Sequence, residues 1–454
     1  MSLGPLTIPG ELDSVPSLEE TRVSDLQNGC SECVCVTLDR AALSDALVRE
    51  TGDPAMGASY LETRPHLFSD VAVFINASQL ARMQRIISAI ETVARHPDYL
   101  AATMAWAPES ARQDFGPHGV FMGYDFHLSE RGPALIEINT NAGGAMLNAV
   151  LARAQRVCCP SEPTDFLRAN PFESVVAAMF SKEWRYQRGS GEPVSIAIVD
   201  DDPVSQYLFP EFLLTRRLLE QAGHSVCIAD PSEFAYASGT LRYGDRNVDL
   251  IYNRLVDFSL DRPEHSALRA AYLDGSVVVT PNPHVHAKFA DKRNLTLLSD
   301  TALLQEWGFD RAIVDTLVAG IPATERVDEA SAERLWAGRR QFFFKPAGGY
   351  GSKAAYRGDK LTKSVWAELL ESDYVAQAYV RPSERTIRLD GETIKRKIDV
   401  RLYTYDGEPL VAAARLYQGQ TTNMRTAGGG FAPVLLMAAD DSPQDWDRCD
   451  TGEA

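Results

Sequence analysis

The residues best suited to chemistry lie at 342–358, "FFFKPAGGYGSKAAYRG", where an apolar run meets a Lys-Pro step and a glycine-rich loop. The run is typical of a buried strand, so Lys345 would hold its ammonium at a fixed point where the strand ends. Glycines let a backbone approach a ligand closely and present N–H groups to phosphate oxygens. The loop residues that would do so are Gly348, Gly349, Gly351 and Ser352.

A phosphate-binding loop is one interpretation of this stretch, and a hairpin turn beside a core lysine is the other. A lysine buried without an anion is costly, which favours the ligand interpretation. The stretch lacks the GxxxxGK[ST] spacing of a Walker loop and also lacks a dinucleotide-binding fingerprint.

A second candidate site is the segment 134–144, "ALIEINTNAGG". Glu137 and Asn139 stand at alternate positions, so on a strand both side chains point to the same face. A glycine pair follows directly and would form a flexible loop. The alternative is a polar strand end that caps the next helix.

A third candidate is the segment "DYVAQAYVRPSE", in which a strand leads through Gln377 into a short apolar stretch. The main-chain groups of Ala378, Tyr379 and Val380 could face the edge of a purine. This signal is weak when it is taken alone.

The elements that position these residues follow from periodicity and turn signals. The segments "GVFMGYDFHL" and "PALIEINT" predict two strands joined by a "SERG" turn. Strands that alternate with helices between 191 and 300 predict a doubly wound parallel sheet. The predicted divisions are 1–65 of unclear role, 66–190 mostly helical with the strand pair, 191–300, 301–436, and an acidic tail at 437–454.

Composition excludes several functions. The chain has 454 residues, 45% of them hydrophobic, and a formal net charge of −17, which argues against a nucleic-acid surface. No apolar run reaches the roughly 18 residues that a membrane helix needs, and the N-terminus does not have the pattern of a secretory signal. An odd count of seven cysteines fits a reducing cytoplasm. The sequence does not fix the oligomeric state and allows a homodimer.

In order along the chain, these segments resemble the ATP-grasp superfamily, and most closely the eukaryotic glutathione synthetases and the glutathionylspermidine synthetases. The similarity rests on "GYDFHLSERGPALIEINTNAGG", "AKFADKRNLTLL", "FFFKPAGGYGS" and "AGGGFAP". It covers residues 118–158 and 194–435 in pieces. In those two groups the fold is circularly permuted, with the Glu-x-Asn strand ahead of the nucleotide lysines, and this sequence has the same order.

The resemblance implies roles for specific residues. Asp125, Glu137 and Asn139 would supply hard oxygen ligands to Mg²⁺, which bridges nucleotide phosphates. Lys292 and Lys345 would bind ATP and offset charge on the transferring phosphoryl group. The residues implied to act with substrate or lid are Arg254, Asn423, Arg425, Gly428 and Gly429.

The implied activity is that of an ATP-dependent carboxylate–amine ligase that forms an amide through an acyl phosphate. Arg254 would hold a substrate carboxylate in bidentate fashion, although a surface ion pair is an equal alternative for a single arginine. The sequence departs from the family at Gly123, where an arginine commonly meets a substrate carboxylate. It also departs at Gly349, where eukaryotic glutathione synthetase has a metal-binding glutamate.

Other interpretations remain open. A binding protein could retain the nucleotide fold without turnover. The acidic cluster "IVDDDP" at 198–203 resembles a receiver domain, but Asn253 and Arg254 stand where the phosphoacceptor Asp belongs; a polar loop that caps a helix near Ser205 is the alternative. Cys30, Cys33 and Cys35 predict either a metal site, which lacks its second pair, or buried thiols.

Overall fold

The computed structural model describes residues 38–154, 164–165, 172–349, 354–389 and 392–437. The cysteine cluster, most of the 1–65 segment, the acidic tail, Gly351 and Ser352 therefore lie outside the described residues. No helix within the described ranges is both long enough and apolar enough to cross a membrane.

The helices are numbered here in chain order. They are α1 Arg40–Thr51, α2 Ala58–Thr63, α3 Ala77–Ala94, α4 Pro97–Met104, α5 Ala145–Ala154, α6 Phe172–Arg188, α7 Phe209–Gln221, α8 Ser266–Leu273, α9 Pro283–Phe289, α10 Asn294–Leu298, α11 Thr301–Glu306, α12 Arg311–Gly320, α13 Glu329–Gly338 and α14 Lys363–Leu370.

The strands are numbered in the same way. They are β1 Val73–Asn76, β2 Met122–Ser129, β3 Gly132–Asn139, β4 Thr164–Asp165, β5 Ser195–Val199, β6 Ser225–Ala229, β7 Phe234–Ala237, β8 Thr240–Tyr243, β9 Arg246–Asn247, β10 Leu250–Asn253, β11 Val278–Thr280, β12 Thr324–Val327, β13 Phe342–Pro346, β14 Tyr356–Arg357, β15 Tyr374–Ala378, β16 Ser383–Leu389, β17 Glu392–Tyr405, β18 Glu408–Tyr417 and β19 Gly430–Met437.

An eight-stranded sheet forms the centre of the molecule, in the order β1-β19-β18-β17-β2-β3, with β16 beside β17 and β4 beside β19. Its pairs are antiparallel except for β1 with β19. The predicted hairpin is present as β2 and β3. The helical prediction for 66–190 missed β1, because its pairing with β19 joins residues more than 350 positions apart.

The long strand β17 shows how the sequence assigns the two faces of this sheet. Ile398, Val400 and Leu402 are buried in one apolar cluster with helix α3. The alternate positions Asp399 and Arg401 point to the opposite face, because strand side chains alternate. One face of the sheet is therefore apolar core, and the other carries charge.

Helix α3 covers the apolar face. Asn76 and Gln79 form a capping box at its start, and Ile86, Ile87 and Ile90 follow at helical spacing. These isoleucines pack against the even-numbered residues of β17 in one cluster. The helix thus fixes which face of the sheet stays free for the polar residues.

A second sheet has four parallel strands in the order β11-β10-β5-β6. Its β10 strand ends at Asn253, immediately before Arg254. The helix expected near Ser205 in fact begins at Phe209, with Leu208 as its N-cap residue and no side-chain cap. Pro210 in the first turn explains the later start, because proline is pre-organised for that position.

A third, antiparallel sheet has the order β12-β15-β13-β14. Lys345 lies near the end of β13, and Gln377 lies on the neighbouring strand β15, opposite Phe343. A small sheet of β7, β8 and β9 completes the described part of the chain. The third sheet places the lysine of the glycine-rich loop against the charged face of the central sheet.

Candidate functional site

A row of charged side chains crosses the polar face of the central sheet. Asp125 on β2 lies directly opposite Arg401 on β17 and opposite Glu137 on β3. On the far side of β17, Asp399 lies opposite Arg415 of β18. The Asp125–Arg401 and Asp399–Arg415 pairs each join opposite charges, which attract across neighbouring strands. Asp125 and Glu137 are both acidic and repel, so the charge of Glu137 depends on other cations, Lys292 and Lys345.

Asp125 is the centre of a buried ionic network. Its Oδ1 accepts a hydrogen bond from Arg401 Nε at 2.5 Å, and its Oδ2 accepts from Arg401 Nη2 at 2.8 Å and from Arg415 Nη2 at 2.6 Å. Asn139 Nδ2 donates to the same Oδ2 at 3.0 Å. Burial opposes its charged form, but the attraction of both arginines outweighs burial and lowers the pKa of Asp125.

The network continues to the loop after β18. Arg415 Nε donates to Asp399 Oδ1 at 2.6 Å, and Thr422 Oγ1 donates to Asp399 Oδ2 at 2.7 Å. The side chains of Asp125 and Asp399 are each 1% exposed or less. Each therefore has cationic or hydroxyl donors, as a buried charge requires.

A β-bulge brings Lys345 to this face. Asp125 pairs with Glu137 but the next residue, Phe126, pairs with Leu135, so Ile136 is an extra residue in β3. The carbonyl of Ile136 accepts a hydrogen bond from Lys345 Nζ at 2.6 Å, and Gln377 Oε1 accepts a second at 2.8 Å. The ammonium is thus held beside Glu137 by two neutral acceptors.

Lys292 approaches the same carboxylate from another element. Its Nζ lies 3.1 Å from Glu137 Oε1 and donates to the carbonyl of Gly349 at 3.2 Å. The backbone N–H of Lys292 donates to the carbonyl of Ala347. The structure therefore brings together the two predicted lysines, Glu137 and the described start of the glycine-rich loop.

The electrostatics of the lysines and Glu137 are linked. Burial lowers the pKa of Lys345 to about 8, although the negative charge of Glu137 partly opposes this shift. Burial works against the charged form of Glu137, but Lys292 and Lys345 outweigh it and hold its pKa below the ordinary value. Glu137 is therefore ionised at neutral pH.

A cleft opens to solvent above these residues. We call it the lysine cleft, because Lys292, Lys345 and Glu137 line its floor. The predicted residues Gly349, Gln377, Ala378, Tyr379 and Val380 also line it, whereas the exposed Gly348 does not.

The wall segment 378–380 is held in a defined position. Ala378 N donates to the carbonyl of Ala323 and Tyr379 N donates to that of Gln341, both at 2.8 Å. His127 Nδ1 lies 2.9 Å from the carbonyl of Val380, and His127 Nε2 lies 3.3 Å from the Tyr417 hydroxyl. Burial lowers the pKa of His127 to about 4, so its ring is neutral and its Nδ1 carries the proton.

A second cavity adjoins the lysine cleft. We call it the arginine chamber, because both Arg401 and Arg415 line it. The residues shared by the two cavities are Glu137, Lys292, Gly349 and Thr422. The chamber extends from this common boundary to Asn141, Phe258 and His286 near the parallel sheet.

One side of the chamber is flat and uncharged. The rings of Phe258 and His286 stack at 3.7 Å with an interplanar angle of 6°. His286 Nδ1 lies 2.9 Å from Thr140 Oγ1. Burial and then the nearby Lys292 lower the pKa of His286 to about 3, so it adds no positive charge at neutral pH.

Arg254 lies behind the chamber and is not part of its lining. It is 7% exposed, packs over the rings of Phe212 and Tyr252, and donates through Nη1 to Asn141 Oδ1. Its Nη2 is 4.0 Å from Glu211. Arg254 is therefore buried and does not form the surface ion pair that the sequence allowed, and its contact with Asn141 links it to a residue that lines the chamber.

The predicted lid residues do not converge on either cavity. Asn423 and Arg425 are exposed, Asn423 Oδ1 accepts from the Arg425 backbone, and the Arg425 guanidinium lies 4.1 Å from the centre of the Tyr207 ring. At Gly428, which has φ of 67°, a Cβ would come within 2.5 Å of Ile387. At Gly429 it would come within 2.5 Å of the Met424 carbonyl. Both glycines are thus explained by close packing of the loop.

The predicted metal ligands divide into two kinds. The ionised carboxylate of Asp125 can only accept hydrogen bonds, so the Asn139 amide must direct its Nδ2 towards it. The Oδ1 atom of Asn139 is then available to bind another partner. Glu137 and Asn139 both line the chamber, whereas Asp125 is fully buried beneath the arginines. Two protein oxygens fit Mg²⁺, which usually binds one or two carboxylates together with phosphates. No cluster of three acidic, histidine or cysteine ligands occurs among the described residues.

Arg401, Arg415 and His127 were not predicted from the sequence to be functional, although Arg401 and Arg415 line the chamber and His127 lines the cleft. A signal was present in the sequence, because Arg401 stands between Val400 and Leu402 and Arg415 stands between Ala414 and Leu416. An arginine at an inward position of a strand needs a buried partner. Asp125 and Asp399 are those partners.

Comparisons with known proteins identify a fold. No family model matches the sequence, and no curated protein matches it. A glutathione synthetase-like effector, GSS30, from Globodera pallida in apo form is similar in structure, with a TM-score of 0.52 and 11% identity over 88% of this chain and 98% of that one. At this identity the likeness concerns the fold alone, a mixed α/β arrangement with several sheets.

Two other solved structures give lower scores. One is a protein from Methylobacillus flagellatus KT assigned as a gamma-glutamylcysteine synthetase, with a TM-score of 0.45 and 10% identity over 77% of this chain and 85% of that one. The other is the ATP-grasp ligase PsnB complexed with a minimal precursor, magnesium and ADP, with a TM-score of 0.27 and 14% identity over 53% of this chain and 88% of that one.

Proposed function

We propose that this chain is an ATP-dependent carboxylate–amine ligase that joins a small-molecule acid to an amine through an acyl phosphate, with release of ADP. The observation that carries the proposal is that Lys292 and Glu137 line both cavities, with Lys345 beside them in the first. A nucleotide in the first cavity and an acid in the second would present their reacting groups to the shared pair, Lys292 and Glu137.

The lysine cleft suits a nucleotide. The main-chain segment 378–380 lines the cleft, and Lys292 and Lys345 provide two positive charges in it for phosphate oxygens. The N–H of Val380, which follows β15, has no backbone partner among the described residues. This N–H and the neighbouring main chain of Ala378 would face the hydrogen-bonding edge of a purine.

Glu137 and Asn139 would hold Mg²⁺ against the phosphates, and the bound Mg²⁺–ATP would supply the phosphoryl group that activates the acid. Lys345 and Lys292 offset negative charge during such a transfer. The loop 418–429 extends from the chamber wall at Thr422 to Arg425 over Tyr207. Its closure would exclude water from an activated acid.

The order of these residues along the chain supports a circularly permuted ATP-grasp arrangement. Glu137 and Asn139 precede Lys292, and Lys292 precedes Lys345. The parallel sheet of β5, β6, β10 and β11 would be the substrate-binding unit of that arrangement, since Val256 and Phe258 follow β10 and line the chamber.

Product formation is the direct test. The protein, ATP and Mg²⁺ would be incubated with a matrix of amino acids, small diacids and polyamines, and phosphate release measured together with product mass. A ligase yields ADP, phosphate and amide in equal amounts only when acid and amine are both present. ATP binding without release for any pair would instead support the non-catalytic nucleotide-binding alternative.

A further inference from the structure

Most of the charged side chains that line the arginine chamber are cationic, and the acidic side chains that balance two of them are buried behind the lining. The side chains that line it include three cations, Lys292, Arg401 and Arg415, and one anion, Glu137. Asp125 and Asp399 balance the arginines but are buried beneath them and do not line the chamber. The surface that a ligand meets is therefore positive, although the whole network is close to neutral.

The two guanidinium groups are pre-positioned. Arg401 and Arg415 have side-chain exposures of 7% and 12%, and each is fixed by carboxylate hydrogen bonds of 2.5–2.8 Å. A guanidinium that is already oriented loses little conformational freedom when it binds a planar anion. This favours a carboxylate as the group that the chamber takes.

Gly123 provides the space for Arg401. A Cβ at position 123 would lie 3.1 Å from both Cδ and Nε of Arg401, and 2.6 Å from Cβ of Ala142. The Arg401 side chain therefore packs closely against β2 at Gly123, and a larger residue at position 123 would displace it. The chamber's cationic group is thus supplied by the neighbouring strand β17.

We propose that Arg401 and Arg415 bind the carboxylate of the acid substrate in the arginine chamber, and that Asp125 acts as the positioning residue that aims both guanidinium groups. This inference rests on the proposed ligase function and deepens it. It gives Asp125 a role distinct from metal binding, because its two oxygens already accept four hydrogen bonds. It also assigns the acid-binding contact to residues other than Arg254.

The test uses succinate as the probe, with uncharged succinamide as its control, in the absence of nucleotide. Calorimetry should show that the wild-type protein binds succinate at least tenfold more tightly than succinamide. Arg401→Gln should remove this preference, while Arg326→Gln, the same change at an exposed arginine of β12, should leave it intact. Equal affinity of the wild type for both probes would overturn the inference.

Hydrogen exchange on the wild type locates the site independently of whether Arg401→Gln folds. Succinate should protect amides of β17 and β18 near Arg401 and Arg415. Protection confined to the segment around Arg254 would overturn the assignment.

Asp125→Asn separates the two roles of Asp125. If Asp125 is a positioning residue, Asp125→Asn should bind succinate more weakly, while its Mg²⁺-dependent affinity for ATP should stay within about threefold of the wild-type value. Loss of the Mg²⁺ dependence with succinate binding unchanged would show a metal ligand instead. Because succinate is measured without nucleotide, failure of ATP binding would count against the ligase proposal alone.

Discussion

Lys345 donates to the carbonyl of Ile136, the residue by which β3 exceeds its partner strand. This single hydrogen bond joins the glycine-rich loop of the third sheet to the charged face of the central sheet. It also explains why a lysine can be buried beside Glu137 without forming a direct ion pair with it. This bond links the position of Lys345 to the β-bulge, and neither feature can be predicted from its own segment of the sequence.

The lowered pKa of Lys345 predicts a pH-dependent affinity for ATP. The ammonium is charged below about pH 8 and loses its proton above it. Because bound phosphate favours the charged form, ATP affinity should fall above pH 8 by up to about tenfold per pH unit. Calorimetry between pH 7 and 9.5 measures this. Lys345→Arg, whose charge persists, should show no such decline, and an equal decline in both proteins would assign the titration elsewhere.

The raised pKa of Asp200 predicts that the stability of the protein depends on pH. Burial raises the pKa of its carboxyl to about 7, so between about pH 4 and 7 the folded protein binds more protons than the unfolded chain. Stability should therefore fall as pH rises through this window. Asp200→Asn should raise the free energy of unfolding at pH 8 by about 1–3 kcal/mol, since one pKa unit corresponds to about 1.4 kcal/mol.

The same difference should become much smaller at pH 4, where Asp200 is protonated in the folded protein and about half protonated in the unfolded chain. Urea unfolding at both pH values provides the measurement. The exposed Asp245→Asn is the matched control and should change stability little at either pH. A pH-independent gain at position 200 would mean that the carboxyl is not the cause.

Gly123→Ala tests the close packing of Arg401 on β2. The added methyl would overlap the Ala142 methyl, so the free energy of unfolding should fall by about 1–3 kcal/mol, as is usual for overpacking. Gly348→Ala is the control, because a Cβ there meets nothing within 4 Å in the described structure. Both variants would be measured by chemical denaturation. An equal free energy of unfolding for Gly123→Ala and Gly348→Ala would show that the side chains around position 123 move aside at little energetic cost.

His127 predicts an indirect effect on nucleotide binding. Its Nδ1–H donates to the carbonyl of Val380 and so fixes the wall segment of the lysine cleft. His127→Leu removes a buried hydrogen bond worth about 1 kcal/mol and should weaken ATP binding about fivefold. Tyr417→Phe, which removes only the outer contact with His127, should have a smaller effect. If both variants bound ATP like the wild type, the segment would be held by its backbone bonds alone.

Local patterns predicted much of the structure around the site. Alternation gave the β2–β3 hairpin and placed Glu137 and Asn139 on one face, and the glycine-rich loop follows β13 as expected. The two lysines and Glu137 also meet, as the order of motifs suggested. These features depend on residues close together in sequence or on the family's motif order.

The rest depends on long-range register, which a single sequence does not specify. Arg401 meets Asp125 across 276 positions, and Lys345 meets Ile136 across 209. Arg254 was expected to bind a ligand directly because it ends a strand, yet Asn141 lies between it and the chamber. The predicted lid residue Arg425 also lies away from both cavities, because its guanidinium packs over the ring of Tyr207, which is distant in the sequence.

Nucleotide binding in the lysine cleft can be tested by calorimetry of ATP with and without Mg²⁺, on the wild type, Lys345→Met and Glu137→Gln. Lys360→Met, at an exposed lysine, serves as the control. We expect Mg²⁺-dependent binding by the wild type and the control. Lys345→Met should lose at least about tenfold in affinity, since hydrogen bonds to charged groups contribute about 1.5–3 kcal/mol, and Glu137→Gln should show a reduced Mg²⁺ dependence. Absence of ATP binding by the wild type, or equal binding by all four proteins, would contradict the proposed nucleotide site.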